Sequence, residues 1–437
     1  MATTLQPSAL LEARLRARQA QVAVLGLGYA GLPMAVACAE AGYPVLGLDI
    51  DAARVATVQE GISPIPDVPD ATLGPLVAGG ALRASADMSA LAEADVVLVC
   101  VPTPLTSERT PELSYVRQAA ATIAAHAHEG QLLVLQSTCG PGTTRGELGG
   151  PLAARGLRAG EDVHLAHAPE RIDPGNAYYT VRNTPKLVGG VTPRCTALGV
   201  LFYTPLVDEV VPCRSPEVAE LSKLVENTFR FVNISLVNEV ARLCDQLGVD
   251  VWDVLEAAAT KPFAYLPHQP GVGVGGHCIP VVPFYLADAA RAVGVDTELI
   301  AAAGRVNVGQ PRWAVDKLER LLAERGQALE GARVLLLGVA YKPDVADLRE
   351  SAALAVLGEL IRRGADVAYH DPWVSRMVVA GGEWRSVSLE GLERYAAAVV
   401  LTAHRGVDYA RVAAAVPLVL DAPNALAGLA APNVVRL

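Results

Sequence analysis

The sequence predicts an α/β protein in which two doubly wound domains are joined by one long central helix. Three observations carry that prediction. From Gln21 onward, short apolar runs rich in Val and Leu alternate with Ala/Leu-rich stretches of helix length. Between Ser215 and Leu247 there is no Gly and no Pro beyond Pro216, while apolar residues recur every three or four positions. From Arg333 the alternation of short runs and helical stretches resumes. Such alternation is what helices covering both faces of a parallel sheet require.

Taken in order, Val22–Leu25, Val45–Leu48, Val96–Val99 and Leu132–Leu135 read as parallel strands, continuously apolar because both faces are covered. The rhythm continues through Val163–Ala166 and Lys186–Gly189, giving a first domain over 18–205. The long stretch has apolar residues at 218, 221, 225, 229, 232, 236, 240, 243 and 247. It reads as one helix of about 31 residues, ~46 Å long, with Ser215 as N-cap and Pro216 at the favoured first position. A helix of that length exceeds one core, so it is expected to bridge domains and to offer a subunit interface within a central segment, 206–325. The last domain, 326–437, contains the strand Val334–Leu337, the helix Ala352–Arg363 and the strand Asp366–His370. The runs Ala397–Thr402, Leu418–Leu420 and Val434–Val435 continue it.

Composition narrows the function classes. The 437 residues are 51% apolar and 19% charged, which excludes disordered and fibrous chains. A net charge of −10 leaves no whole-protein basic field for nucleic acid. Seven cysteines without a Cys-x-x-Cys pair suggest neither a disulfide framework nor a zinc ribbon. No apolar run reaches the ~18 residues of a membrane helix, and the first twenty residues lack a signal-peptide core. The expectation is a cytoplasmic protein with neither membrane nor nucleic-acid partners.

Four motifs carry chemistry. Gly26-Leu-Gly28-Tyr-Ala-Gly31 follows a strand and opens a helix, and Asp49 stands eighteen residues beyond Gly31 at the end of the next strand. This Rossmann-like arrangement combines a tight turn at Gly26, close approach of a pyrophosphate at Gly28 and close helix packing at Gly31. A carboxylate at 49, followed by Ile50 rather than Arg, favours NAD over NADP. In Gly271-Val-Gly-Val-Gly275-Gly276-His277-Cys278, the glycines let backbone approach a ligand, and Cys278 is either a nucleophile or a small buried apolar residue. Lys223, Asn227 and Arg230 share one helix face, which is either solvated or supplies donors to a reacting oxygen. Tyr341-Lys342-Pro-Asp344 follows a strand, as an ordinary loop or as a nucleotide crevice with Lys342 as a phosphate charge. His126/His128 and His164/His167 read as core or surface histidines, so no metal site is expected.

Together these residues resemble the UDP-sugar 6-dehydrogenase family over nearly the whole chain. The resemblance rests on Gly26–Gly31, Val101-Pro-Thr-Pro104, Gln136-Ser-Thr138 with Pro141-Gly-Thr-Thr144, Pro169-Glu-Arg-Ile-Asp-Pro-Gly-Asn176 and Lys186–Gly190. Leu221-Ser-Lys223 with Glu226-Asn-Thr-Phe-Arg230, Gly275–Cys278 and Tyr341–Asp344 complete it. The Pro-Glu-Arg form and Lys261-Pro-Phe263 are most similar to the branch acting on UDP-N-acetylhexosamines, UDP-N-acetylglucosamine above all.

The resemblance implies a four-electron oxidation at C6 of the sugar through an aldehyde and a Cys278 thioester, with NAD as acceptor. It implies Lys223 and Asn227 at the oxyanion, with Glu170 and Thr138 near the water or leaving proton. Gly26, Gly28, Tyr29, Ala30, Gly31, Asp49, Pro102, Thr103, Thr138 and Lys342 would hold the cofactor. Glu170, Arg171, Lys223, Asn227, Arg230, Gly275, Tyr341, Lys342 and Arg349 would hold the UDP-sugar. A homodimer through the long helix is implied as well. One position departs sharply: the family's Cys-x-Pro-x-Asp reads Cys278-Ile-Pro280-Val281-Val282 here. Val can neither take a proton nor hold water, so impaired hydrolysis or a stop at the aldehyde is an alternative outcome. UDP-glucose oxidation and a non-catalytic nucleotide-sugar binding protein are the others.

Overall fold

The computed structural model describes residues 6–173, 175–176, 178–379 and 381–437; Pro174 of the Pro169–Asn176 motif lies outside them. The chain forms two compact units, Met1–Glu226 with Phe284–Gly294, and Asn227–Pro283 with Val295–Leu437.

The first unit is built on an eight-stranded sheet of β1 (Val22–Leu25), β2 (Val45–Leu48), β3 (Leu82–Ser85), β4 (Val96–Val99), β5 (Leu132–Leu135), β6 (His164–His167), β7 (Lys186–Gly190) and β8 (Val210–Cys213). Their order is β3-β2-β1-β4-β5-β6-β7-β8, with only the β6–β7 pair antiparallel. Alternate residues of each strand enter different cores: Val22, Val24, Val45 and Val96 face one, and Ala23, Leu25, Leu48 and Val99 the other. That two-sided burial is why these segments are continuously apolar. Strand order reverses between β1 and β4, and β1 is paired flush from Val22 with both β2 and β4. The carboxyl ends of β1, β2 and β4 therefore form one rim, where ligands bind in open α/β sheets.

Two strands of this sheet were not expected. β3 has no β-branched residue, and β8 lies beyond residue 205 and carries Pro212; both are edge strands with part of their surface exposed. In the second unit, β9 (Arg333–Leu337), β10 (Asp366–His370), β13 (Ala397–Val400), β14 (Val419–Asp421) and β15 (Val434–Arg436) form a parallel sheet of order β10-β9-β13-β14-β15. The strands β11 (Arg376–Val379) and β12 (Gly382–Arg385) form a separate hairpin.

The long helix is continuous from Pro216 to Leu247, and the apolar stripe counted in the sequence is largely exposed, while Leu224, Phe231, Val237 and Ala241 are buried. Lys223, Asn227 and Asn238 are buried, whereas Val225 is 56% exposed, Leu236 55% and Leu243 57%. The Lys223–Asn227 face is thus not the solvated one. No helix of the described residues is long and apolar enough to cross a membrane.

Candidate active site

The glycine corner of the first unit is set by close packing. Gly26 has φ +96°, and its N–H donates to Leu48 O at 2.7 Å. A Cβ on Gly31 would lie 1.8 Å from Gly26 O, so no side chain fits there. A Cβ on Gly28 would meet no protein atom within 4 Å, leaving an open cradle. The Gly31–Glu40 helix begins beside it without a side-chain cap, as an anion-binding helix end does. Tyr29 and Ala30 are half-buried in the same turn.

Asp49 ends β2 and is buried. Its Oδ2 accepts from Leu27 N at 2.8 Å and Arg54 Nη1 at 3.1 Å, and its Oδ1 accepts from Asp51 N at 2.9 Å. With about four lone-pair directions on a carboxylate, one remains for a ribose hydroxyl. Arg54, five residues on, reaches Asp49 from the first turns of the next helix, a contact that motif spacing does not report.

The same rim collects the other motifs. Pro102 and Thr103 follow β4; Thr103 O accepts from the Tyr285 hydroxyl at 3.0 Å. Thr138 follows β5 and is half-buried. Glu170 follows β6: Oε1 accepts from Arg171 N and Ile172 N, both at 2.7 Å, and Oε2 faces the buried Lys186 ammonium at 3.6 Å. Arg171 is engaged structurally, with Glu226 at 2.8 Å and Pro185 O at 2.6 Å.

Beneath this rim lies a polar cluster that spacing could not reveal. Cys139 Sγ sits 3.9 Å from His167 Nδ1 and 3.7 Å from Glu220 Oε1, and the three ligand atoms lie within 4.8 Å of one another. Glu220 is held by backbone and hydroxyl donors: Oε1 accepts from Thr144 N and Oγ1 at 2.9 and 2.7 Å, and Oε2 from Gly142 N at 2.6 Å. Burial holds His167 neutral, its pKa down to about 3, and pushes the Cys139 thiol well up. The cluster reads as a hydrogen-bonded clamp between the long helix and the loop after Thr138. One turn further along, Lys223 is 7% exposed and has no hydrogen-bond or ion-pair partner among the described residues. Asn227 is 6% exposed, and its Nδ2 also lacks a partner. Arg230 faces solvent.

In the second unit the glycine loop packs on the segment after β9. A Cβ on Gly275 would lie 2.7 Å from Tyr341 Cβ and 2.8 Å from Glu350 O, and Gly276 N donates to Arg349 O at 3.0 Å. Gly275, Tyr341 and Arg349 are thereby brought together, and the half-buried Cys278 follows Gly275 by three residues. Cys278 O accepts from Val282 N at 2.8 Å, so the thiol residue stands one turn before the Val282–Ala292 helix. Val282 is 1% exposed. Lys342 is half-buried. A cavity of about 380 Å³ is lined by Trp252, Pro267 and Asn424, among others. Trp252 Nε1 and Asn424 Oδ1 have no partner, a donor and an acceptor absent from the sequence reading.

The β9–β10 corner repeats the dinucleotide corner. Gly338, φ +81°, donates to His370 O at 2.9 Å, and Asp371 Oδ2 accepts from Val339 N at 2.8 Å. Here His404 Nε2 occupies the carboxylate at 3.0 Å, while its Nδ1 accepts from Asp344 N at 2.9 Å, which assigns the Nε2–H tautomer. Burial opposes the charge on Asp371, but His404 and the backbone donors hold its pKa down at about 2.

A dinucleotide corner on one sheet and a nucleotide-type corner on another define an NAD-dependent oxidoreductase of a two-nucleotide design. Family models match in three consecutive stretches: the NAD-binding domain of the UDP-glucose/GDP-mannose dehydrogenase family over 20–207, its central domain over 217–308 and its UDP-binding domain over 335–428. A UDP-N-acetyl-D-mannosamine dehydrogenase of Pyrococcus horikoshii is 37% identical over 357 residues, 81% of this chain and 84% of the relative. A UDP-N-acetyl-D-glucosamine 6-dehydrogenase of Pseudomonas aeruginosa is 35% identical over 81% of this chain and 83% of the relative. The solved structure of a Pyrococcus horikoshii UDP-N-acetylmannosamine dehydrogenase matches with a TM-score of 0.86 at 32% identity, covering 95% of this chain and 98% of that one. The chain belongs to the UDP-glucose/GDP-mannose dehydrogenase family. It is an NAD-dependent oxidoreductase with a UDP-binding domain.

Proposed function

We propose that this chain oxidises the C6 hydroxyl of a UDP-N-acetylhexosamine, UDP-N-acetylglucosamine foremost, to the uronic acid by way of Cys278. NAD, when bound, accepts hydride, one per oxidation step. The open Gly28 cradle, the uncapped helix end and Asp49 fit it. The hydroxyl loses a proton and C6 a hydride to give the aldehyde. The Cys278 sulfur adds to that carbonyl, loss of a second hydride leaves a thioester, and water releases the acid and the thiol. The reaction consumes two NAD and one water per sugar.

The observation that carries this reading is the buried Asn227 amide, whose Nδ2 has no acceptor, one helical turn from Lys223. Placing an amide N–H2 out of water without a partner costs about 1–3 kcal/mol in the resting protein. An anionic oxygen at C6 would satisfy both Lys223 and Asn227, so the donors favour the transition state. Thr138 and Glu170 are assigned to the water or the transferred proton. Tyr341, Lys342 and Arg349 take the nucleotide side. The N-acetylhexosamine preference is supported by the Pro169-Glu-Arg motif and by the names of the relatives.

The exposed Val218, Val225, Leu236 and Leu243 support a homodimer through the long helix. A monomer by light scattering at micromolar concentration would remove that part. The main test is stoichiometric: NADH formed per sugar over a panel of UDP-hexoses and UDP-N-acetylhexosamines, with mass analysis of products. Two NADH and a uronic acid from UDP-N-acetylglucosamine are expected. A preference for UDP-glucose, or no NADH with any UDP-sugar, would overturn the reading.

A further inference from the structure

We infer that Asn238, Asn307 and Gln310 form a buried amide network that holds the glycine loop, and through it Cys278, in reactive position; its catalytic consequence rests on the nucleophile role proposed above. All the groups involved lie in the second unit.

A loop of glycines has little side-chain surface to anchor it, and its backbone groups still need partners. Here those partners are buried amides. Gly271 N donates to Asn238 Oδ1 at 2.9 Å, Gly271 O accepts from Gln310 Nε2 at 3.0 Å, and Val274 N donates to Asn307 Oδ1 at 2.7 Å. Gln310 Nε2 also reaches Asn238 Oδ1 at 3.3 Å, and Gln310 Oε1 accepts from Arg242 Nε at 2.8 Å. Asn238 and Gln310 are fully buried, and Asn307 is 9% exposed. Helices could pack here through apolar residues alone; the amides add bonds directed at the loop.

The Glu298–Ala323 helix explains how Asn307 and Gln310 are presented. Pro311 stands inside it and lacks the N–H that Asn307 O would accept, which opens the ladder at that turn. Arg242 Nη2 donates to Val306 O at 3.0 Å on the same turn. Further along, Asp245 of the long helix pairs with Lys317 and Arg320 at 2.9 and 2.8 Å. That ion-pair end of the seam joins the same two helices without touching the loop, which makes it a control.

The experiment uses the full chain and reads iodoacetamide alkylation at Cys278 by peptide mass analysis between about pH 6 and 10, where thiols titrate. Steady-state kinetics with NAD and UDP-N-acetylglucosamine and a melting curve accompany it. Asn307→Ala is expected to change the Cys278 alkylation rate about fivefold or more, to shift its pH profile, and to lower kcat ~10–100-fold, as small misplacements of a reacting group do. NAD affinity should stay unchanged. Asn307→Asp keeps the acceptor for Val274 N and should restore both readouts to within about threefold. Arg320→Ala should lower the melting temperature and leave the alkylation profile as in the parent.

The inference is overturned if folded Asn307→Ala and Gln310→Leu alkylate as the parent does, or if Asn307→Ala and Asn307→Asp are indistinguishable. It is equally overturned if Arg320→Ala moves the profile as far as Asn307→Ala. Should Gln310→Leu not fold, the Asn307 pair decides. Acid production by Cys278→Ser would sink the nucleophile role while leaving the alkylation test intact, so the two failures are separable.

Discussion

Val282→Asp places a carboxylate where the family resemblance leads one to expect it, and the structure sets its cost. Val282 is 1% exposed, opens the Val282–Ala292 helix and donates its N–H to Cys278 O. Val and Asp are of similar size, so the exchange is an electrostatic one. A helix N-terminus returns about 0.3–1 kcal/mol to a nearby anion, up to ~2 in buried geometry, whereas desolvating a carboxylate costs several kcal/mol. A net loss of roughly 2–4 kcal/mol is expected. Burial would raise the new carboxyl's pKa in the folded state above its unfolded value. Its penalty is therefore absent in acid and grows as pH rises through the unfolded value, so the melting temperatures of variant and parent should diverge with increasing pH.

The kinetic gain runs the other way. If Glu170 and Thr138 serve the transferred proton, no group replaces the family carboxylate in delivering water, and the parent should show a burst approaching two NADH per active site, then slow turnover with an intact-mass adduct on Cys278. General acid–base assistance is worth ~10²–10⁴-fold, so the variant's slow phase should quicken at least tenfold. Rapid mixing with NADH absorbance reads both phases. A linear parent progress curve from the first turnover, with two NADH per sugar and no adduct, would refute the reasoning and shift water activation to Glu170 or Thr138. A burst of one NADH with free aldehyde would mean that the reaction stops halfway.

Three further outcomes are expected. Cys278→Ser should abolish acid formation, because an alkoxide is far harder to generate near neutral pH than a thiolate, and Lys223→Ala should lower kcat ~10²–10³-fold with a smaller effect on KM; product mass analysis and steady-state kinetics check both. Asp49→Ala should narrow the NAD-over-NADP ratio of kcat/KM, and Arg54→Ala should widen it by removing the cation nearest a 2′-phosphate; equal ratios in all three proteins would contradict this. Burial depresses His164 to about 4 and His167 to about 3. Unfolded imidazoles take up protons below about pH 6.5, so the stability of neutral burial is present above that value and lost as pH falls, ~2 kcal/mol per histidine at pH 5. Chemical denaturation between pH 7 and 5 should show the slope, and His167→Gln should flatten it.

Sequence pattern located the strands that are buried on both faces almost to the residue, because continuous apolar runs such as Val96–Val99 have no other use. It passed over β3 and β8, whose edge positions relax that demand. The rim residues were legible because glycine spacing reports backbone geometry directly. Arg54 and the Cys139–His167–Glu220 clamp were not: they depend on side chains meeting across elements up to 81 positions apart. The long helix shows the limit of periodicity. The spacing of its apolar residues gave its length, but not which face the protein turns inward; that choice follows from the buried work of Glu220, Lys223 and Asn238.

The second corner, at Gly338 and Asp371, keeps the hydrogen-bonding grammar of the first but gives its acidic residue to His404. An imidazole from the same chain sits where a ribose would be read, so that carboxylate takes no part in telling one dinucleotide from another. Under the proposed function, cofactor choice would rest locally on the residues around Asp49 and Arg54. Redirecting it calls for edits at one corner only, and the other can be left untouched.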